Sequence, residues 1–211
     1  MTAITVAVVD DHPIVRDALR AFLSCQEGIC VIGEAATAAA AIELVQHASP
    51  DVMVLDLDLP NGSGIDALAP LRKLRRRMAV LIFSAYSEEH YGIRLLRQGA
   101  GAYLNKSCAL DELVTAIRAL AAGRRYVTPA LAQLLANDID PDRRVSHPDL
   151  TDREWQVLLK LARGLDTGTI AAQISLSSDT VSMYRRRILD KLELASNADI
   201  AYYALKHNLL F

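Results

Sequence analysis

Four apolar runs, each leading into polar residues, constrain this chain more than any other feature. The runs are Ile4–Val9, Val52–Leu55, Ala79–Phe83 and Ala102–Leu104, and they lead into Asp10 and Asp11, Asp56, Ser84 and Lys106. They read as short strands. The first two are nearly continuous in apolar residues, as strands buried on both faces should be. Amphipathic stretches follow the strands: Pro13–Ser24, Thr37–His47, Ile65–Arg75, Glu88–Gln98 and Leu110–Ala121. In the last, Leu113, Ile117 and Leu120 recur at helical spacing. Residues 1 to about 122 thus carry five strand–helix alternations. This predicts an α/β unit with a doubly wound, five-stranded parallel sheet. In such a sheet the carboxyl ends of the strands share one edge, where ligands bind. An acidic pair, a lone Asp, a hydroxyl and a Lys would converge there.

Composition narrows the class. Of 211 residues, 52% are hydrophobic and 23% charged, which suits a soluble globular protein with real cores. The net charge of −2 gives no global basic field. No basic segment followed by an apolar stretch opens the chain, so no signal peptide is expected. No apolar run approaches about 18 residues, so no membrane span is expected either, and the expected location is cytoplasmic. Cys25, Cys30 and Cys108 fit no zinc spacing and read as reduced thiols.

The second half of the chain changes character. Pro60-Asn61-Gly62-Ser63-Gly64 is a turn cluster after the strand at Val52–Leu55. Pro129–Ala136 reads as a short helix, and Asn137 to Pro148, polar and aperiodic, reads as a linker. Residues 149–211 hold no strand candidate. Thr151-Asp152-Arg153-Glu154 is a capping box before the stripe Trp155, Leu158, Leu159 and Ala162, and Gly164 closes that helix. Thr169–Ile174 is a short second helix, with Thr167-Gly168 at its opening, and Ser175-Leu176-Ser177 connects it to a third. Ser178 caps this third helix, which runs to about Leu192, and Ser196 with Asp199 opens a fourth. Two helices joined by a tight turn inside a small all-helical unit are the signature of a helix-turn-helix. The expected division is 1–122, a connecting segment at 123–148, and 149–211.

The acidic pocket suits divalent metal and phosphoryl chemistry. Magnesium is usually held by one or two carboxylates plus a phosphate. Asp11 and Asp56 could supply carboxylates, with Asp10 acting through water. A carboxylate can also accept a phosphoryl group as an acyl phosphate, and Asp56, ending a central strand, is the best candidate. Lys106 would neutralise the transferring group, and the Ser84 hydroxyl would donate a hydrogen bond to it.

With those residues in place, residues 1–122 resemble a response-regulator receiver domain through VVDDHPIVRDAL, VLDLDLPNGSGID, LIFSAY and GAYLNK. Residues 149–211 resemble the DNA-binding domain of the LuxR/NarL/FixJ class through LTDREWQVLLKLARG and IAAQISLSSDTVSMYRRRILDKL. The resemblance implies a flavodoxin/CheY-like receiver followed by a four-helix helix-turn-helix domain. It implies that Asp56 is the phosphoacceptor and that Asp10 and Asp11 bind Mg2+ (or Mn2+), with the backbone carbonyl of Asp58 as a further ligand. It makes Ser84 the switch hydroxyl, Lys106 the partner of the phosphoryl group, and Tyr103 the aromatic whose ring moves inward. A sensor histidine kinase, promoter double-stranded DNA and a second copy of the chain on that DNA are the implied partners, and RNA polymerase is a further one that the resemblance admits. Position 84 is Ser where Thr is common, and position 107 is Ser rather than Pro, so no cis bond is assumed there.

Helical projection assigns the DNA contacts. With Val181 as origin, Tyr184, Ile188 and Leu192 form the buried stripe, and Ser182, Met183 and Arg186 face away, with Arg187 at the edge. Arg186 could reach guanine, Ser182 a base or a phosphate, and Met183 a thymine methyl. Arg185 and Arg187 suit phosphates, as does the helix N-terminus at Ser178–Thr180. Residues 151–211 hold eight basic against seven acidic residues, a weak balance that suggests dimers. Trp155 reads as core. Tyr202, Tyr203 and Leu205 read as core or dimer seam. Two other readings stand beside this one. In the first, the pocket is a relic and a partner, ligand or Cys108 oxidation governs DNA binding. In the second, Asp56-Leu57-Asp58 is the DxD of a phosphohydrolase; the acidic pair preceding Asp56 and the absence of a cap domain weigh against it.

Overall fold

The computed structural model describes residues 3–60, 63–139, 150–174, 176–207 and 209. They divide into two units, 1–135 and 136–211. The first alternates β1 (Ile4–Val9), α1 (Pro13–Ser24), β2 (Ile29–Ala35), α2 (Ala38–His47), β3 (Val52–Leu55), α3 (Gly64–Leu74), β4 (Ala79–Ser84), α4 (Glu88–Arg97), β5 (Ala102–Asn105) and α5 (Leu110–Ala121). All strand pairs are parallel, in the order β2-β1-β3-β4-β5. The doubly wound expectation holds.

Alternation along each strand divides the core into two layers. Val6, Val8, Val52, Val54, Leu81, Phe83 and Leu104 face Leu19 and Leu23 of α1 and Leu113, Ile117 and Leu120 of α5. Ala7, Val9, Met53, Leu55, Val80 and Ile82 project to the opposite face, which α2, α3 and α4 cover, and all are buried. Each fully buried aliphatic side chain contributes roughly 1.5–3 kcal/mol. The helices start where short polar side chains satisfy exposed amides: Thr37 accepts from Ala40 N, Ser63 from Ile65 N and Ser87 from Glu89 N.

The register positions the pocket. Val9 pairs with Leu55 across β1 and β3, so Asp10 and Asp56 leave the sheet side by side. Asp56 N–H donates to Val9 O at 2.8 Å, and Lys106 N–H donates to Ser84 O at 2.8 Å. Ser84 and Asn105 are themselves the last residues of their strands, each one beyond its apolar run. Gly64 opens α3 close under the loop after Asp56. A Cβ there would lie 2.0 Å from Asp56 O, so only glycine fits.

After α5 the helix α6 (Pro129–Ile139) runs three residues past the expected end at Ala136, so Asn137–Ile139 are helical rather than linker. Residues 140–148 of the expected linker and residue 149 of the expected helical unit lie outside the described residues, as do Asn61 and Gly62 of the turn cluster and Ser175 of the connection.

The second unit is helical: α7 (Asp152–Ala162), α8 (Thr167–Gln173), α9 (Ser178–Leu192) and α10 (Asn197–Lys206). Both capping boxes form, at Thr151 with Glu154 and at Ser196 with Asp199. Gly164 (φ +82°) follows α7 as expected. Two assignments need correction. Asp166 caps α8 through the amides of Gly168 and Thr169, so α8 starts at Thr167, not Thr169. Ser177, not Ser178, caps α9, because Ser177 is extended and its hydroxyl accepts from Thr180 N. Trp155, Val181 and Ile188 are buried, whereas Tyr184 and Leu192 are only half-buried.

Candidate functional site

The carboxyl edge of the sheet gathers the predicted pocket. Asp10, Asp56 and Ser84 are buried, Asp11 and Lys106 partly so. Lys106 Nζ lies 2.6 Å from Asp10 Oδ2 and 2.8 Å from Asp56 Oδ2, bridging the two carboxylates. The other oxygen of Asp56 accepts from Leu57 N–H at 2.7 Å. Burial pushes the Asp56 carboxyl above its usual value, against the pull of Lys106. Burial also acts to lower Lys106, but the Asp56 and Asp10 carboxylates outweigh it and hold its ammonium above the lysine range. One ammonium thus serves two carboxylates, those of Asp10 and Asp56, and the Asp11 carboxylate lies in the same acidic cluster.

The donor set fits a hard divalent cation. Carboxylate oxygens of Asp10, Asp11 and Asp56 and a ring nitrogen of His12 all lie within 4.8 Å of one another. Asp11 Oδ1 is buried and has no hydrogen-bond partner. His12 Nδ1 approaches it to 2.6 Å without an aligned hydrogen bond. An orphaned carboxylate oxygen in an acidic pocket is what a cation would satisfy.

The switch residues meet at Tyr86, to which sequence reasoning gave no role. Its N–H donates to Ser84 Oγ at 3.3 Å. Its carbonyl accepts from Tyr103 Oη at 2.9 Å and from Asn105 Nδ2 at 3.1 Å. Its own hydroxyl donates to Asp58 Oδ2 at 3.3 Å. Tyr103 is fully buried, and burial raises its phenol well above the ordinary tyrosine value. Arg16, also unforeseen, donates to Asp10 O at 2.6 Å. The only sequence signal for Tyr86 was its place two residues after the hydroxyl. Cys108 is half-buried, and burial with Glu112 nearby raises its thiol, which keeps it protonated and weakens a redox role.

On α9, Ser178, Ser182, Met183, Arg186 and Arg187 are exposed. Thr180 is half-buried, its hydroxyl 2.8 Å from Ser177 Oγ. Arg185 differs from its neighbours: it is half-buried, and its Nε donates to Asn197 Oδ1 at 2.6 Å, tying α9 to the start of α10. Tyr202 and Leu205 on α10 are 69% and 54% exposed, so they are not core. No helix among the described residues is long and apolar enough to cross a membrane.

Comparison with known proteins agrees with this geometry. Residues 6–118 match the response regulator receiver domain, and residues 148–204 match the bacterial regulatory proteins of the luxR family. The response regulator GacA of Pseudomonas aeruginosa is 34% identical over 98% of this chain and 98% of its own. A LuxR-family two-component response regulator from Aurantimonas sp. is 37% identical, with a TM-score of 0.61 over 66% of this chain and 99% of its own. RcsB of Salmonella typhimurium, at 23% identity, shares the fold along the full length of both chains with a TM-score of 0.80.

Proposed function

Because this chain belongs to the two-component response regulators of the LuxR family, with a receiver and a helix-turn-helix DNA-binding domain, we propose that Asp56 is its phosphoacceptor and that a sensor histidine kinase supplies the phosphoryl group. The observation that carries this reading is the buried Asp56 carboxylate, held by Lys106 and Leu57 N–H beside the orphaned oxygen of Asp11. An Asp56 oxygen attacks the phosphorus of the kinase's phosphohistidine. An O–P bond forms, the N–P bond breaks, and its electron pair returns to the imidazole, which takes up a proton.

Asp10, Asp11 and the Asp58 carbonyl, with Asp56 itself, would hold Mg2+ (or Mn2+). The ion supplies positive charge that offsets the phosphoryl oxygens. Lys106, already oriented by Asp10 and Asp56, pairs with an equatorial oxygen. Ser84 gives up Tyr86 N–H and donates its hydroxyl to the phosphoryl group. Tyr103, joined to the same loop through Tyr86 O, follows it.

The division into a receiver at 1–122, a connecting segment at 123–148 and a DNA-binding domain at 149–211 belongs to the same proposal. In the DNA-binding unit, α9 enters the major groove. Arg186, Ser182 and Met183 face bases, and Ser178, Thr180, Arg185 and Arg187 face the backbone. The exposed Tyr202 and Leu205 form the seam of a homodimer on DNA, with RNA polymerase as a further partner. Such a regulator works in the cytoplasm.

The test is intact-mass analysis after incubation with acetyl phosphate and magnesium. The wild type gains a single phosphoryl group and Asp56→Asn gains none. Equal labelling of both chains would overturn the assignment.

A further inference from the structure

The return path after α5 is tied to α4 at several points. Gly123 (φ +75°) turns the chain, and Tyr126 N–H then donates to Gly101 O at 3.1 Å. Tyr126 Oη donates to Glu112 Oε1 at 3.1 Å, fixing the segment against α5. Thr128, only 8% exposed, does two things at once. Its Oγ1 accepts from Leu131 N–H at 3.1 Å, capping α6, and donates to Glu88 Oε2 at 2.7 Å, in the first turn of α4. Leu131 is fully buried and sits where α4 lacks a side chain. A Cβ on Gly92 would lie 2.6 Å from Leu131 Cδ1 and 3.0 Å from Cδ2.

The same α4 is reached from the phosphorylation pocket. Three residues separate Ser84 from α4, and Tyr86 is the middle one. Its N–H rests on Ser84 Oγ, and its ring lies 5.6 Å from that of Tyr91, which is buried and immediately precedes Gly92. A turn of the Ser84 hydroxyl toward Asp56 withdraws the acceptor from Tyr86. The loop is too short to absorb that change without moving the first turns of α4, where Glu88 and Gly92 hold α6.

We propose that Thr128 and Leu131 form a latch clamping the linker helix α6 onto α4, and that phosphorylation of Asp56 opens it. This rests on the assignment of Asp56 as phosphoacceptor and adds the route by which its state leaves the receiver. The latch biases an existing two-state surface, so its opening is a population shift. Opening frees the root of the segment that leads to the DNA-binding unit.

Hydrogen-exchange mass spectrometry on the full-length chain, with and without acetyl phosphate and magnesium, tests this. Intact mass is measured on the same samples. In the wild type, phosphorylation speeds exchange of the amides from Leu131 to Asn137 by about fivefold, the effect of losing one net hydrogen bond. Thr128→Val, which exchanges the hydroxyl for a methyl group of similar size, gives that faster exchange without phosphorylation, and labelling adds little more. Leu131→Ala does the same by emptying the notch, and both variants take up the phosphoryl group as the wild type does. A labelled wild type whose α6 amides exchange as before overturns the latch alone. So does a Thr128→Val chain indistinguishable from the wild type. A wild type that takes up no label while Asp56 is intact overturns the phosphoacceptor assignment, and the latch with it.

Discussion

At the scale of single residues, two backbone positions test the geometry most directly. Glu193 ends α9 with φ +54°, the only non-glycine residue in the left-handed region among those described. That conformation costs an L-residue about 1–2 kcal/mol, part of which glycine gives back as unfolded-state entropy. Glu193→Gly is therefore expected to stabilise the helical unit by about 0.5–1 kcal/mol, read as a higher urea midpoint with an unchanged slope. Gly64 is the opposite case. Gly64→Ala forces a Cβ against Asp56 O, and the backbone must shift at a cost of about 1–3 kcal/mol. That variant should unfold at lower urea and take up less phosphoryl label; a normal midpoint would show the loop to be more yielding than its contacts imply. Asp10, Asp11, Asp56, Ser84 and Lys106 were legible in sequence because each follows a strand run, and strand ends meet at one edge. Tyr86, Thr128 and Leu131 were not. Their roles depend on which helix lies over which loop, and periodicity carries no such information.

At the scale of elements, α7 is the clearest case of sequence chemistry becoming stability. Thr151 and Glu154 cap its start reciprocally, and Lys191 of α9 reaches the same Glu154 oxygen at 2.7 Å. Burial acts to raise the Glu154 carboxyl, but Lys191 and the Thr151 amide outweigh it, and the group lies below the ordinary glutamate value of 4.5. A carboxyl depressed on folding contributes stability above its unfolded value and loses it as pH falls through the folded one. The helical unit is thus expected to lose melting temperature below about pH 4.5. Glu154→Gln should flatten that loss in far-UV circular dichroism melts; an unchanged pH profile would remove Glu154 from the account. Thr151→Ala should cost about 1 kcal/mol at neutral pH. Apart from the end of α6, which runs three residues further, the helices of both units were readable to within about two residues because caps and apolar spacing mark them. Strand β2 was not marked. It is an edge strand, partly exposed along its length, and its apolar run Ile29–Ile32 breaks off at Gly33 and Glu34 without leading into a residue of the pocket, so it was not singled out.

For the whole molecule, two units with separate buried cores imply two unfolding events. The acidic pocket belongs to the first alone. Magnesium should raise only the receiver transition in calorimetry, by the mass-action relation for a ligand that binds the folded state, and the helical transition should stay fixed. A shift of both together would mean that the units unfold as one. The sheet order carries a last consequence, for how the protein is made. The strand synthesised first, β1, lies inside the sheet, between β2 and β3, and the edge strand β5 is the last to be added. The receiver cannot close until Asn105 has left the ribosome, but it needs nothing from beyond its own unit. Residues 136–211 follow later, at about 5–20 residues per second. A receiver that folds as it leaves the ribosome is therefore complete seconds before the DNA-binding unit that follows it, and it can reach its structure without that unit.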